Sequence, residues 1–410
     1  MMEAVFWLSV LFIGYVYVGY PLLLAVWTKA ATALGRGTVP RPERRAQPVE
    51  RRHSSHRDTD RRVYPGVSII IAARNEAARL PARIANLLAS DYPVNRLQII
   101  VASDGSTDAT PDAIKKFGSA VELVTVPRSG KAAALNAAVQ HARYPILVFA
   151  DARQRFAGDA IRRLVSHFRD PQVGAVSGEL VLDCETSVSA SSIGEGVGAY
   201  WKYEKWLRRG EAVVGSTLGV TGAIYAMRRW LWQPLPAETL LDDVLGPMRV
   251  VLRGYRVTFD SFARAFDETA RSASAETRRK VRTLAGNFQL LAQEPRLLVP
   301  GVNPVWLQFV SHKVARLLVP YALIAVLVSS AALASRSWYY TAAFAVQVAF
   351  YALAAYGAVL DRRADAMLDR RTDASLDLPV DAERDQRTPD AGLDQRPATA
   401  TRVGVTREAA

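Results

Sequence analysis

The chain has 410 residues, 50% of them hydrophobic and 22% charged, with a formal net charge of +13, and its mean hydropathy is +0.03. That apolar share excludes wholesale disorder, and that charge content excludes a transporter built mainly of membrane spans. Cys184 is the one cysteine, which excludes a disulfide framework and a four-thiolate zinc site and points the folded mass towards a reducing compartment.

Residues 4–27, AVFWLSVLFIGYVYVGYPLLLAVW, carry no charged side chain, a run long enough to cross the roughly 30 Å bilayer core as a helix. A cleaved signal peptide is the competing reading. It is opposed by the length of the run and by Glu3, the only early charge, where a signal peptide has a basic start. The expectation is an anchor over 1–30. Residues 31–66 follow as a flexible basic linker, arginine-rich from Arg36 to Arg62 and broken by Pro40, Pro42 and Pro48. Arginine density beside a membrane helix places that side in the cytoplasm and suits contact with anionic headgroups. Nucleic acid is not an expected partner, because no aromatic interleaves the arginines.

Residues 67–300 alternate strand and helix. VSIIIAA (67–73) is a strand by its β-branched run, and an amphipathic helix is predicted from Asn75 to Ser90. LQIIVAS (97–103) is the next strand, followed by a helix through Lys116 with Thr107 as its N-cap. VELVTV (121–126), a helix from Lys131 to His141 and ILVFA (146–150) continue the series. Such alternation implies a parallel, doubly wound α/β sheet whose ligands gather at the carboxyl ends of its strands.

Beyond this domain, NPVWLQFVSHK (303–313) is predicted as an interfacial helix leading into two spans, 314–334 and 338–360, joined by a short SRSW turn. These form a 301–360 membrane segment. The tail, 361–410, is polar and charged without a sustained apolar period, and is expected to be disordered. Three crossings put the middle domain and the tail on the same, cytoplasmic, side.

Polar groups sit at each predicted strand end: Ala73-Arg74-Asn75-Glu76, Ser103-Asp104-Gly105-Ser106, Arg128-Ser129-Gly130-Lys131 and Asp151-Ala152-Arg153. One such loop is ordinary turn chemistry. Four in register suit a nucleoside diphosphate: a carboxylate can accept from base or ribose, Lys131 at a helix start can meet phosphate, and Asp151 can reach a metal or ribose. Neither GxGxxG nor GxxxxGK[ST] is present, so a dinucleotide fold and a P-loop are unsupported.

The ordered series VSIIIAARNE, IIVASDGSTDAT, GKAAALNAAV, VFADAR, GVTGAIYAMRR, LLDDVL and RRKVRTLAGNFQLL resembles the membrane-embedded family 2 glycosyltransferases, which include cellulose, hyaluronan and poly-N-acetylglucosamine synthases. The resemblance covers about residues 60–330. It implies a GT-A type doubly wound mixed sheet flanked by transmembrane and interfacial helices, a UDP-sugar donor, inversion at the anomeric carbon, and an acceptor near the membrane. By position it assigns Ala73, Asn75, Glu76, Asp104, Lys131, Asp151 and Arg153 to the nucleotide sugar, with Asp151 also the metal ligand. Thr221, Gly222 and Ala223 match the acceptor loop, where glycine lets a sugar approach the backbone. Leu241-Asp242-Asp243 stands where the family has Thr-Glu-Asp, which makes Asp243 the candidate general base, with Asp242 and Arg282 beside it in the catalytic group. From the residues alone, Asp242-Asp243 reads equally well as the acidic first turn of a helix.

Three departures from the family pattern matter. Arg153 replaces the second acid of Asp-x-Asp, so either its guanidinium meets the diphosphate or another carboxylate completes a site for Mg2+ or Mn2+. The Gln-x-x-Arg-Trp motif of processive synthases is reduced to Arg279-Lys280-Val281-Arg282-Thr283, without the tryptophan that stacks on the acceptor sugar. A charged tail stands where related chains continue with a further apolar segment. Of the remaining residues, Tyr200, Trp201, Tyr203 and Trp206 suit either a membrane interface or core packing. His312 reads as interfacial and Cys184 as structural.

The expectation is a multi-pass protein of the cell (inner or plasma) membrane, with its catalytic domain cytoplasmic. It transfers a sugar from a UDP-sugar to a growing cell-surface polysaccharide. Its expected partners are the donor, a polysaccharide or lipid-linked acceptor, membrane lipid, and an exporter or accessory subunit. The alternatives are single-sugar transfer to a polyprenyl phosphate, favoured by Thr283, and a non-catalytic membrane scaffold that keeps the fold.

Overall fold

The computed structural model describes residues 1–35, 64–182, 192–267 and 273–376. Most of the basic linker, Cys184 and the last part of the tail lie outside these residues. One compact unit runs over Met1–Ala355, and Tyr356–Ala410 forms another.

The sheet contains eight strands: β1 (Val67–Ala73), β2 (Leu97–Asp104), β3 (Val121–Val126), β4 (Ile146–Ala150), β5 (Arg155–Phe156), β6 (Val173–Leu182), β7 (Ile224–Arg228) and β8 (Arg256–Asp267), in the order β3-β2-β1-β4-β7-β6-β8-β5. The first four in that order pair in parallel, with Val67 opposite Leu97 and Ile146. The strand β7 then runs antiparallel to both β4 and β6. The strand β8 pairs in parallel with β6 and antiparallel with β5, so the sheet is mixed: strand–helix alternation after residue 67 predicts its parallel half, and the second half, of both senses, lies beyond the reach of that rule.

Alternating side chains of β1 serve two cores. Ile69 and Ile71 pack with Leu80 and Ile84 of α3 (Leu80–Leu88) and with α6 (Ala160–Ser166). Ile70 packs on the other face with Leu135 of α5 (Lys131–Gln140) and Leu245 of α8 (Asp242–Leu252). Burial on both faces is what a near-continuous run of β-branched residues predicts for a central parallel strand. By contrast β3, at the sheet edge, fully buries only Val121 and Val124.

Two predicted helix starts move. The helix expected from Asn75 begins at Leu80, because residues 75–79 form the loop after β1. The helix expected from Thr107 is α4 (Thr110–Lys115), and Asp108 rather than Thr107 serves its start, accepting from Thr110 N–H at 3.0 Å.

Three helices are long and apolar enough to cross a bilayer: Met2–Ala33, Trp306–Leu333 and Trp338–Leu360. The first comprises α1 (Met2–Gly14), a π-turn and α2 (Tyr20–Ala33). The second comprises α10 (Trp306–Phe309), a π-turn over Val310–Val314 and α11 (Ala315–Leu333). The expected interfacial helix at 303–313 is thus the opening of this second span, not a separate element. The last helix, α12, runs over Trp338–Leu376, so the expected disordered tail begins as helix. Phe6 packs with Val326, Leu333 and Tyr340, and Val16 with Ala315 and Val319. The helix α7 (Ser192–Val214) docks on α2, where Leu24 lies so near Gly210 that a Cβ there would come within 3.1 Å of it. This contact joins the α/β layer to the apolar helices.

Candidate active site

The parallel register brings the carboxyl ends of β1, β2 and β4 to one edge of the sheet, with Ala73 opposite Ser103. This is the crevice in which open α/β sheets take ligands. Of the residues expected to hold the nucleotide there, several serve the loops themselves. Asn75, in the left-handed region at φ 55°, accepts through Oδ1 from Thr107 N–H at 2.9 Å. Glu76 pairs with Arg79 at 2.9 Å, and its backbone N–H donates to Thr110 Oγ1 at 2.8 Å. Asp104 is buried and accepts from Ser129 N–H at 2.6 Å and from Gly130 N–H at 3.1 Å. Ala73 is buried at the strand end. These residues shape the crevice by tying its loops together.

The remaining polar residues converge on one another. Gly130 ends the loop that Asp104 holds, and Lys131 opens α5. Its ammonium lies 3.4 Å from Asp151 Oδ1, just after β4, and 3.2 Å from Asp242 Oδ2, at the start of α8. Burial works against the Lys131 charge, but the carboxylates of Asp242, Asp151 and Asp243 prevail and hold its pKa above the usual lysine range.

Asp242 and Asp243 occupy the first turn of α8, whose N-cap is Leu241. Asp242 is spent on Lys131. No hydrogen bond among the described residues engages the Asp243 carboxylate. Burial, reinforced by the charge of Asp242 and opposed by Lys131, Lys313 and Arg208, pushes its pKa up from 3.8 to about 6. The residues expected to form the acceptor loop lie directly over it: a Cβ on Gly222 would come 3.2 Å from Asp243 Oδ2, and Val220 N–H donates to Asp243 O at 2.8 Å. Thr221 hydrogen-bonds to Ser177 and Arg208, and Ala223 is buried at the head of β7. Among the described residues Asp243 is therefore a carboxylate with no hydrogen-bond partner, beside the loop of Thr221, Gly222 and Ala223, with its pKa raised to about 6.

Two expected site residues are placed differently. Arg153 pairs with Asp267 at the end of β8, at 2.5 Å, an acid 114 positions away that Gln154 also meets at 2.9 Å. The guanidinium expected on the diphosphate thus has a carboxylate of its own, which no local spacing could reveal. Arg282, exposed on α9 (Ala273–Gln293), donates to Leu240 O at 3.2 Å and so stands at the rim beside Asp242. Gln289 of the same helix was not singled out by the motif, yet it braces this rim by accepting from Leu240 N–H and donating to Glu238 O, each at 2.9 Å. Thr283 donates to Arg279 O within the helix. Arg208 and Lys313 also escaped sequence reading, since a basic residue near a span is ordinarily a snorkelling charge.

Among the described residues no three His, Cys, Asp or Glu side chains form a metal cage. A Mg2+-like ion needs only one or two carboxylates when the substrate brings phosphate oxygens. Asp151, partly exposed at the crevice, fits that single-carboxylate role for a cation that arrives with the nucleotide.

Residues 68–229 match the model of the family described as glycosyl transferase family 2. The poly-beta-1,6-N-acetyl-D-glucosamine synthase of Staphylococcus aureus is 23% identical over 265 residues, 60% of this chain and 60% of that protein. The chain thus matches less than two thirds of that relative's length. The beta-monoglucosyldiacylglycerol synthase of a Synechocystis species is 31% identical over 119 residues, 28% of this chain and 25% of that one. Among solved structures, a mannosyltransferase from Pyrobaculum calidifontis, in complex with GDP-Man and Mn2+, superposes with a TM-score of 0.60 at 24% identity. It covers 85% of this chain and 92% of its own, and so supports the fold. The part of the mixed sheet that holds Lys131 and Asp151 at its crevice is thus similar to the glycosyl transferase family 2 domain over residues 68–229, and the Asp242-Asp243 pair lies beyond the matched residues.

Proposed function

We propose that this chain is a membrane-bound inverting glycosyltransferase that takes a sugar from a UDP-sugar for the building of a cell-surface polysaccharide. The carrying observation is Asp243: a carboxylate without a hydrogen-bond partner among the described residues, its pKa raised to about 6, between the nucleotide crevice and the apolar helices. The attacking oxygen of the acceptor gives its proton to Asp243 as it meets the anomeric carbon on the face opposite the leaving diphosphate. Lys131 holds positive charge where that diphosphate gains negative charge. Asp151 would hold a Mg2+ or Mn2+ ion together with the phosphate oxygens of the donor, and such an ion adds to the charge stabilisation of the leaving group. Arg282, at the rim through its bond to Leu240 O, would add positive charge on the side of the departing nucleotide.

The three apolar helices support a multi-pass arrangement, and the arginine-rich linker supports a cytoplasmic catalytic layer. The polysaccharide assignment is supported by the likeness to a poly-N-acetylglucosamine synthase. The direct test supplies membranes carrying the wild type or Asp243→Asn with radiolabelled UDP-N-acetylglucosamine, UDP-glucose or GDP-mannose. The expected result is incorporation from a UDP-sugar that falls by about 10²–10⁴-fold in the variant. Equal transfer by both proteins removes Asp243 as base, and incorporation from GDP-mannose alone removes the UDP donor.

A further inference from the structure

One buried titratable side chain beside the carboxylates has no role in the chemistry above. Tyr225 lies in β7, two residues after Ala223 and directly opposite Phe149 of β4 in the antiparallel register. Phe149 stands two positions before Asp151, so those two side chains share a face of the chain. On that face Tyr225 packs with Leu135 of α5 and Leu245 of α8. These are the helices whose first turns carry Lys131 and Asp242.

The ring of Tyr225 is fixed. It stacks on Phe149 with 4.4 Å between centroids and 9° between planes, and Phe149 stacks in turn on Trp232 at 5.1 Å. Tyr225 is only 1% exposed, and its hydroxyl has no hydrogen-bond partner among the described residues. Burial, reinforced by the charges of Asp242, Asp243 and Asp151, holds the phenol well above the usual tyrosine range. The hydroxyl therefore keeps its proton and is a free donor in the field of three carboxylates.

An open acceptor matches this open donor. Lys131 stands 3.2 Å from Asp242 Oδ2, but out of line for a hydrogen bond, so this buried oxygen is ion-paired and yet accepts none among the described residues. Leaving a donor and an acceptor both unmet in one buried site is costly, and such groups are kept where another state of the site uses them. Binding of a nucleotide sugar supplies that state. Its diphosphate brings negative charge to Lys131, and the ammonium then has less to give Asp242. At 4% exposure Asp242 has little water to replace it.

We propose that Tyr225 is a positioning residue of the transfer site, whose hydroxyl is held in reserve and takes the Asp242 carboxylate when the donor diphosphate draws Lys131 away. The proposal rests on the glycosyl-transfer reading and assigns how the site accommodates its donor. Because the ring is clamped by its stack, the Asp242 side chain is the part that turns. A phenol donating to a carboxylate makes a short, charge-assisted hydrogen bond, a fit replacement for the ammonium. Tyr225 makes and breaks no bond of the substrate. Asp242 stays ionised, and its charge continues to push the Asp243 carboxyl up.

The test uses the full chain in phosphatidylcholine nanodiscs and Tyr225→Phe, which keeps the ring stack and removes only the hydroxyl. UDP with Mg2+ is the probe, measured by calorimetry, and melting is followed without nucleotide. The free variant should melt with the wild type or slightly above it, since an unmet hydroxyl is lost, whereas UDP should bind about tenfold more weakly. In Lys131→Met, Asp242 has lost its cation already, so the hydroxyl should be engaged without nucleotide. There the added Tyr225→Phe should lower the melting temperature, the reverse of its effect in the wild type. Unchanged UDP binding in Tyr225→Phe would overturn the proposal. So would a lower melting temperature of the free single variant, because the hydroxyl would then be bonded before nucleotide arrives. Equal melting of Lys131→Met with and without Tyr225→Phe would overturn it as well. Failure of the glycosyl-transfer reading has a different signature: the wild type binds no UDP, and melting of the Lys131→Met pair still upholds or overturns the bond from Tyr225 to Asp242.

Discussion

At the donor edge, Asn75, Glu76 and Asp104 direct their polar groups to Thr107, Arg79 and the backbone of Ser129 and Gly130. A strand away, Lys131, Asp151, Asp242 and Asp243 direct theirs at one another. In the first region the polar groups are satisfied locally, and their product is shape. In the second, three carboxylates share one ammonium, and the surplus falls on Asp243. A surplus carboxylate in a crowded, half-desolvated site is reactive, whereas a satisfied one is structural. The contrast makes separate predictions for the two regions: substitutions in the second should reduce turnover most, and substitutions in the first should act mainly through stability.

Lys131→Met carries the largest expected effect. It removes the one cation that neutralises Asp151 and Asp242, so turnover should fall by about 10²–10³-fold as charge on the leaving group loses its stabiliser. Stability should fall by about 1–3 kcal/mol, less than for a fully buried pair because Lys131 and Asp151 both reach solvent. Steady-state transfer and thermal melting measure the two separately. A variant that melts early but turns over normally would move Lys131 into the structural class.

The pH profile is the next discriminator. With its pKa near 6, Asp243 must be ionised to accept a proton, so turnover should fall about tenfold for each pH unit below 6. Stability carries the opposite sign. The folded carboxyl holds its proton more tightly than the unfolded one, whose pKa is 3.8. The native state therefore binds more protons through that window, and the contribution of Asp243 to stability declines as pH rises from about 4 to 6. Asp243→Asn should consequently be more stable than the wild type at pH 7, by about 1–2 kcal/mol, while nearly inactive. A less stable variant would show that Asp243 is satisfied in the native state, which would erase the contrast between the two regions.

How much of this was legible from sequence divides along the same line. The order of strand-end loops located the crevice, and the β-branched runs located the central strands. Lys131 was conspicuous even without a motif, because a lysine is the wrong charge for a helix N-terminus. What could not be read was direction. The sequence of Asp104 is the same whether its carboxylate faces a nucleotide or the N–H groups of its own loop. Arg153 gives no sign that Asp267, 114 positions later, will meet it. The pairing in the second half of the sheet was hidden from local pattern for a related reason, and only the family resemblance implied a mixed sheet: β7 and β8 enter through long connections whose pairing depends on tertiary packing, not on local period. Arg208 and Lys313 were hidden because the groups they face are set by helix docking.

Asp104→Asn tests the shaping role at moderate cost. The amide oxygen can still accept from Ser129 and Gly130 N–H, but the NH2 group in place of the second oxygen would set a donor against Gly130 N–H in a buried position. A loss of about 1–3 kcal/mol in stability is expected. Donor KM should rise only as far as the Lys131 loop loosens, with kcat little changed. A large fall in kcat at full stability would return Asp104 to direct contact with the reacting groups.

The smallest effect separates the backbone from the side chain at Asn75. Its φ of 55° costs an ordinary residue about 1–2 kcal/mol and a glycine almost nothing. Both Asn75→Ala and Asn75→Gly lose the bond from Thr107 N–H. If the loop is held by conformation, the glycine variant should melt close to the wild type and the alanine variant about 1 kcal/mol below it. If the Asn75 amide instead binds the nucleotide, both variants should show the same raised donor KM whatever their stability. In that case the donor edge would do chemistry as well as shaping, and the division between the two regions would lie inside the first loop, not between the loops.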